Sequence, residues 1–305
     1  MKWLIVGAYV CSLLCMHLRG RVRLPLRQQL FDQSTLMAPI NVFMYLFSRM
    51  PSTPFLAARS LPELASLRDN WESIRAEAEN LRALAGEGEG EADGNGVPPD
   101  GLPPDGLPTK RWNDFYLKWY DSIPPSAREL CPRTAALLQA IPSVKLATFV
   151  ELPPGASLDR HRDPYAGWLR YHLGLATPND GACFIEVDGQ RYTWRDGEAM
   201  LFDETYVHSA ENGCASGRLV LLCDVERPMR LRWAQAVNHF FGRMLTAAMN
   251  LPNAAPGRTA DAGVLGAVLH GIGRCRRRLR SWNLAAYRAA VIAAVAALAL
   301  LLVAL

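Results

Sequence analysis

The sequence predicts a mainly β fold, an antiparallel sandwich or small barrel with flanking helices, set between two apolar terminal segments that read as transmembrane helices. Three observations predict it. Between residues 146 and 225, six short β-rich runs are separated mostly by Pro, Gly, Asn or Asp, with gaps too short for crossover helices. Each end carries an apolar run whose arginines lie only on the side facing the middle of the chain. Half of the 305 residues are hydrophobic, enough for a substantial core and incompatible with disorder of the whole chain.

Residues 1–18 form the first anchor. Positions 3–16 are almost uninterruptedly apolar, and Arg19, Arg21, Arg23 and Arg27 follow before any acid. No small-residue cleavage site follows, so a signal peptide is not expected. The run is short against the roughly 17–25 residues of a spanning helix, which leaves a buried core helix as the alternative. Residues 19–85 make a membrane-proximal segment. Within it, 39–54 is apolar and aromatic, and 61–84 places Leu64, Leu67, Trp71, Ile74, Ala78 and Leu81 at the spacing of one amphipathic helix. Residues 86–108 hold seven glycines, five prolines, six acids and no base, the composition of a disordered insert.

Residues 109–250 carry the β domain. A helix is predicted over 133–141, strands over 146–152, 169–176, 183–187, 190–194, 199–202 and 219–225, and a helix over 233–249. Asp188-Gly189 marks a hairpin turn. Residues 251–283 are a basic linker containing Arg274, Arg276, Arg277, Arg278 and Arg280. Residues 284–305 form the second anchor, in which 289–305 is entirely Ala, Val, Ile and Leu. Both basic flanks belong to the intervening segment, which the positive-inside rule places in the cytoplasm, with anionic membrane lipids as partners of the arginines. A net charge of only +4, with its bases gathered beside apolar ends, argues against nucleic acid. Seven scattered cysteines without a C-x-x-C pair indicate a reducing compartment and no zinc knuckle; Cys183 and Cys223 fall in apolar strands and are expected to be inert.

Three of the six histidines, His161, His172 and His208, fall in the β region. His161-Arg162-Asp163 is an H-x-D pair. On a strand its first and third residues share a face, and His208 returned by an antiparallel sheet could complete a 2-His-1-carboxylate set suited to Fe(II). Many H-x-D pairs are instead surface ion pairs. Alternation also puts Arg170 and His172 on one face, and Arg218 opens the last apolar strand. Two arginines beside a metal suit a dicarboxylate such as 2-oxoglutarate. The alternative is that Arg170 and Arg218 form structural ion pairs with Glu186, Asp203 or Glu204. Trp194 and Tyr192 read as core or surface.

The stretch His161-Arg162-Asp163-Pro164 through Arg170-Tyr171-His172-Leu173-Gly174-Leu175, then Phe202-Asp203-Glu204-Thr205-Tyr206-Val207-His208, then Arg218 and Cys223-Asp224-Val225-Glu226-Arg227-Pro228, resembles the aspartyl/asparaginyl β-hydroxylase family. The resemblance implies a double-stranded β-helix (jelly-roll, cupin-like) dioxygenase core using Fe(II), 2-oxoglutarate and O2. It implies His161 and His208 as iron ligands and Arg170, His172 and Arg218 as 2-oxoglutarate binders. The best-known peptidyl members lack the acid that Asp163 supplies, so Asp163 as third ligand rests on the spacing argument. Gly20-Arg21-Val22-Arg23-Leu24, Phe31-Asp32-Gln33-Ser34-Thr35, Met37 to Tyr45 and Leu67-Arg68-Asp69-Asn70-Trp71-Glu72 are similar to bacterial lipid A acyl-chain 2-hydroxylases within that family. The expectation is therefore hydroxylation at C2 of a secondary acyl chain of lipid A or its acylated precursor. The enzyme would sit in the bacterial inner membrane with its catalytic domain facing the cytoplasm and no obligate protein partner. A membrane-anchored peptidyl aspartyl/asparaginyl hydroxylase and a non-catalytic cupin-like lipid-binding protein are the competing expectations.

Overall fold

A computed structural model describes residues 2–86 and 114–248. The chain opens with four helices, α1 (Lys2–Leu18), α2 (Leu26–Phe31), α3 (Gln33–Leu36) and α4 (Ala38–Phe47), then a two-residue strand β1 (Phe55–Leu56) and helices α5 (Ala65–Asp69) and α6 (Trp71–Gly86). Next come β2 (Asp114–Trp119), α7 (Pro125–Leu130) and α8 (Pro132–Gln139). Eight strands follow: β3 (Val144–Leu152), β4 (Ser157–His161), β5 (Trp168–Ala176), β6 (Cys183–Val187), β7 (Gln190–Thr193), β8 (Ala199–Phe202), β9 (His208–Asn212) and β10 (Arg218–Glu226). Helix α9 (Arg232–Ala248) closes the described chain.

The strands form a six-stranded sheet, β1-β8-β5-β10-β3-β2, and a four-stranded sheet, β4-β9-β6-β7, with every pairing antiparallel. From β3 to β10 the chain alternates between the two sheets except at the β6–β7 hairpin, which is the jelly-roll winding of cupin-like proteins. That hairpin turns on Asp188 and Gly189, both at positive φ (52° and 79°), as a two-residue primed turn demands.

Burial follows pleat geometry. On β5, Leu169, Tyr171, Leu173 and Leu175 pack with Leu219, Leu221, Cys223 and Val225 of β10 beneath α6 and α8. The alternate residues of both strands, including Arg170, His172 and Val220, face the smaller sheet. Val220 packs there with Ile185, Val187, Trp194, Met200 and Phe202. Two-sided coverage explains why β3, β5 and β10 read as near-continuous apolar runs. A third cluster, Met44, Tyr165, Trp168, Met229 and Ala234, joins α4 and α9 to the domain.

Three expectations change. The single helix over 61–84 is broken at Asn70 into α5 and α6, although its apolar positions Leu64, Leu67, Ile74, Ala78 and Leu81 are buried as the spacing required. Strands β4 and β9 were not predicted, because Ser-Leu-Asp-Arg-His and His-Ser-Ala-Glu-Asn lack apolar alternation. Among the described residues no helix is long and apolar enough to cross a membrane; α1 has 17 residues. Arg19, read as a membrane flank, is instead buried against Asp203, with Nη2 to Oδ2 at 2.7 Å, and stacks on the rings of Tyr45 and Tyr206. Gly20, at φ +83°, turns the chain directly afterwards, and Arg21 and Val22 donate backbone N–H groups to Asp188 Oδ1. The insert, the basic linker and the second anchor lie outside the described residues.

Candidate active site

His161 ends β4 and His208 begins β9, directly opposite each other across the ladder. Their ring centroids are 4.3 Å apart. Each Nδ1 faces a backbone carbonyl, His161 to Asp159 O at 2.6 Å and His208 to Tyr206 O at 3.0 Å. A carbonyl only accepts, so the proton is on Nδ1 and both Nε2 lone pairs are free. Such outer hydrogen bonds orient metal-binding histidines. Asp163 lies beyond the end of β4, so it reaches the histidines by a loop turn, not by strand alternation; its N–H donates to Glu204 O at 2.9 Å. Donor atoms of His161, Asp163 and His208 all lie within 4.8 Å of one another. Two imidazoles and one carboxylate with open positions match a non-heme iron centre.

Arg170 supports this set from below. Its guanidinium pairs with Asp163 Oδ2 (2.6 Å), Glu204 Oε2 (2.6 Å) and Asp224 Oδ1 (2.9 Å). Burial raises the Asp163 carboxyl, but Arg170 and the two histidines outweigh it and hold Asp163 well below the usual carboxylate range. Burial pushes Glu204 and Asp224 upward, against the pull of Arg170. The position of Arg170 answers to the ion-pair alternative raised with Glu204. Its charge is engaged by three protein carboxylates, and the 2-oxoglutarate role expected for it is not what this arrangement shows.

His172 and Arg218 are placed differently. Trp194 donates Nε1–H to His172 Nδ1 at 3.3 Å, which puts the imidazole proton on Nε2, a buried donor with no partner. Arg218 lies with Cζ 4.2 Å above the Trp194 ring; its Nε is buried and unpartnered, and it makes no ion pair among the described residues. Burial lowers Arg218 to about 10 and holds His172 well below its ordinary value. Phe202 lies edge-on to both imidazoles, His172 (5.4 Å) and His208 (5.5 Å), and so stands between His172 and the candidate metal-ligating residues. Two buried donors without partners, both beside Trp194, are groups suited to an anion. Trp194, which orients one and stacks under the other, had no sequence signal beyond being a tryptophan at the end of a β-rich run.

Burial and its neighbour His161 push His208 down to about 3. The unfolded histidine protonates near 6.5, so the folded state loses stability as pH falls below that value and continues losing it down to the folded pKa. His208 alone should cost the metal-free protein about 2 kcal/mol at pH 5 relative to pH 7. Urea unfolding at both pH values checks this: His208→Gln should show a smaller loss, and an equal loss would refute the assignment.

A family model for aspartyl/asparaginyl beta-hydroxylase matches residues 68–228, more than half of the chain and a span that includes His161, Asp163, Arg170, His172, His208 and Arg218. The chain belongs to the aspartyl/asparaginyl beta-hydroxylase family. Among family relatives, an ornithine lipid ester-linked acyl 2-hydroxylase of Rhizobium tropici is 31% identical over 190 residues, covering 60% of this chain and 64% of that protein. Human aspartate beta-hydroxylase domain-containing protein 2 is 28% identical over 222 residues, covering 68% of this chain and 57% of that one. The matches thus span less than two thirds of either relative. A solved non-heme monooxygenase, ThoJ in its nickel complex, aligns over 70% of this chain and 90% of its own with a TM-score of 0.34 and 15% identity.

Proposed function

We propose that this beta-hydroxylase family member is an Fe(II)- and 2-oxoglutarate-dependent dioxygenase of the bacterial inner membrane, with its catalytic domain in the cytoplasm, that hydroxylates C2 of a secondary acyl chain of lipid A or its acylated precursor. The observation that carries the chemistry is the convergence of His161, Asp163 and His208, with both Nε2 atoms free, beside the unpaired donors of His172 and Arg218. The donor set fits iron. When bound there, iron with 2-oxoglutarate and O2 would supply the oxidation that converts an unactivated C–H bond to an alcohol.

The chain's own residues have separable tasks. His161, Asp163 and His208 hold the metal, and Arg170 keeps Asp163 ionised and aimed. Arg218 and His172 Nε2–H bind a 2-oxoglutarate carboxylate, with Trp194 fixing the imidazole's tautomer. Phe202 keeps water from the space between the two subsites. Support for an acyl substrate comes from the Rhizobium tropici relative, named for acyl 2-hydroxylation, and from the apolar segments at 3–16 and 289–305, which would hold the enzyme at its substrate's membrane.

Mass spectrometry of lipid A from cells with and without the protein tests the reading. One added oxygen is expected at C2 of a secondary acyl chain, lost in His208→Ala. Unmodified lipid A with a hydroxylated ornithine lipid would move the activity to that lipid. Unmodified lipids, with 2-oxoglutarate turnover on aspartyl or asparaginyl peptides, would replace the reading by the peptidyl one.

A further inference from the structure

Helix α4 packs against both α1 and α9. The end of α4 is stitched to the start of α9 by Arg49 N–H to Pro228 O and Arg230 N–H to Phe47 O, both backbone bonds. The rings of Phe43 and Phe47 meet Trp233 at 5.7 and 4.8 Å. On the outer side of this junction, apolar side chains stand in solvent: Leu46 is 67% exposed, Trp233 53% and Phe240, two turns along α9 on the same face as Trp233, 56%. An isolated exposed leucine needs no account, but large apolar side chains exposed together on one side of a helix junction mark an interaction surface.

The inner sides of the same helices are polar where it matters. Each grips the loop that leaves His161. Arg162 Nη1 donates to Met16 O of α1 at 2.9 Å. Asn41 of α4 donates to Pro164 O and accepts from Ala166 N–H, both at 2.8 Å. Asn238 of α9 donates to Gly167 O at 3.0 Å and accepts from Tyr165 Oη at 2.6 Å. One helical layer therefore fastens residues 162–167, and with them Asp163, while turning an apolar face outward.

We propose that the outer α4–α9 face is a membrane-docking surface. It seats the domain on an anionic bilayer, with Leu46, Trp233 and Phe240 in the acyl–headgroup boundary and Arg49, Arg230 and Arg232 on the headgroups. The charge pattern selects this occupant. None of α1, α4 and α9 contains an acid, whereas all three of those arginines are exposed around the patch. Tryptophan is the side chain suited to a headgroup boundary. Continuity points the same way: α1 beside the face exposes Trp3, Leu4, Leu14 and Leu18, and the chain after α9 carries the five-arginine cluster and the Ala-Val-Ile-Leu run. The inference stands on this face alone and does not require lipid A to be the substrate.

The test uses the full chain in phosphatidylcholine vesicles containing phosphatidylglycerol. Cys11, Cys15, Cys214 and Cys275 are changed to serine, and a fluorophore is placed through Leu46→Cys, Phe240→Cys or, as a control on a strand loop, Ala215→Cys. Lipids spin-labelled on the acyl chain should quench positions 46 and 240 several-fold more than 215, and less so when phosphatidylglycerol is omitted. Trp233→Glu with Phe240→Glu should abolish quenching at 46 while circular dichroism stays unchanged. Quenching at 46 and 240 no greater than at 215 overturns the proposal. So does energy transfer between labelled copies without lipid quenching, which would assign the face to a second copy of the chain. Docking with unmodified lipid A would leave this inference standing and remove only the substrate reading.

Discussion

Arg218→Met is expected to make the protein more stable and nearly inactive at the same time. The guanidinium is buried, forms no ion pair among the described residues, and lies over the Trp194 ring, with Glu151 acting on it at longer range. Keeping a single ion out of water carries a penalty of several kcal/mol, so exchanging this charge, which has no ion-pair partner, for an apolar side chain of similar length should stabilise the fold. Binding should move the opposite way. Loss of one partner from a buried, hydrogen-bonded charge pair costs about 2–5 kcal/mol, roughly 30-fold to several-thousand-fold in affinity for 2-oxoglutarate. Urea unfolding of the metal-free protein and calorimetric titration of the metal-loaded protein with 2-oxoglutarate read the two effects separately. Metal affinity should be unchanged, because Arg218 touches none of His161, Asp163 and His208, and Arg218→Lys should recover part of the binding. Lower stability with unaltered 2-oxoglutarate affinity would show Arg218 to be an ordinary structural residue.

That opposition between stability and binding also explains what sequence could and could not show. Strands β3, β5 and β10 were legible because both of their faces are covered, which forces apolar side chains onto successive positions. Strands β4 and β9 were not, and they carry the two histidines. A strand that serves an open site is released from the hydrophobic pattern, so the segments bearing these two histidines are ones the pattern misses. The histidines were reachable through spacing and family resemblance. The division of labour between the arginines was not. Arg170 and Arg218 look equivalent in sequence, and only the placement of Asp163, Glu204 and Asp224 around one of them separates a positioning guanidinium from a free one. Arg19 misled for a related reason. An arginine following an apolar helix reads as a membrane flank, while its partner Asp203 is 184 residues away.

Asp203→Ala is expected to be the most destabilising single change in the domain. The carboxylate is fully buried and accepts from Arg19 Nη2 and Arg227 Nη2, each at 2.7 Å, from Thr205 N–H at 3.1 Å and from the Thr205 hydroxyl. Burial raises its carboxyl, but Arg227 and Arg19 outweigh burial and hold it well below the usual range, so it carries its charge in the folded protein at neutral pH. Removing it strands two guanidinium groups that are themselves buried, a loss of about 3–5 kcal/mol out of a total that is ordinarily about 5–15. Arg19→Met should cost much less, because Arg227 and Thr205 still satisfy Asp203, and the apolar stem can keep packing on Tyr45 and Tyr206. The two variants also separate folding from attachment. Arg19→Met frees the junction after α1 and should speed amide exchange at residues 19–22 while leaving the strands protected. Asp203→Ala should lower protection throughout the sheets. Equal destabilisation by both variants in thermal and urea unfolding would mean that Arg19, not the shared carboxylate, organises the network, and that the N-terminal helix is part of the folding core.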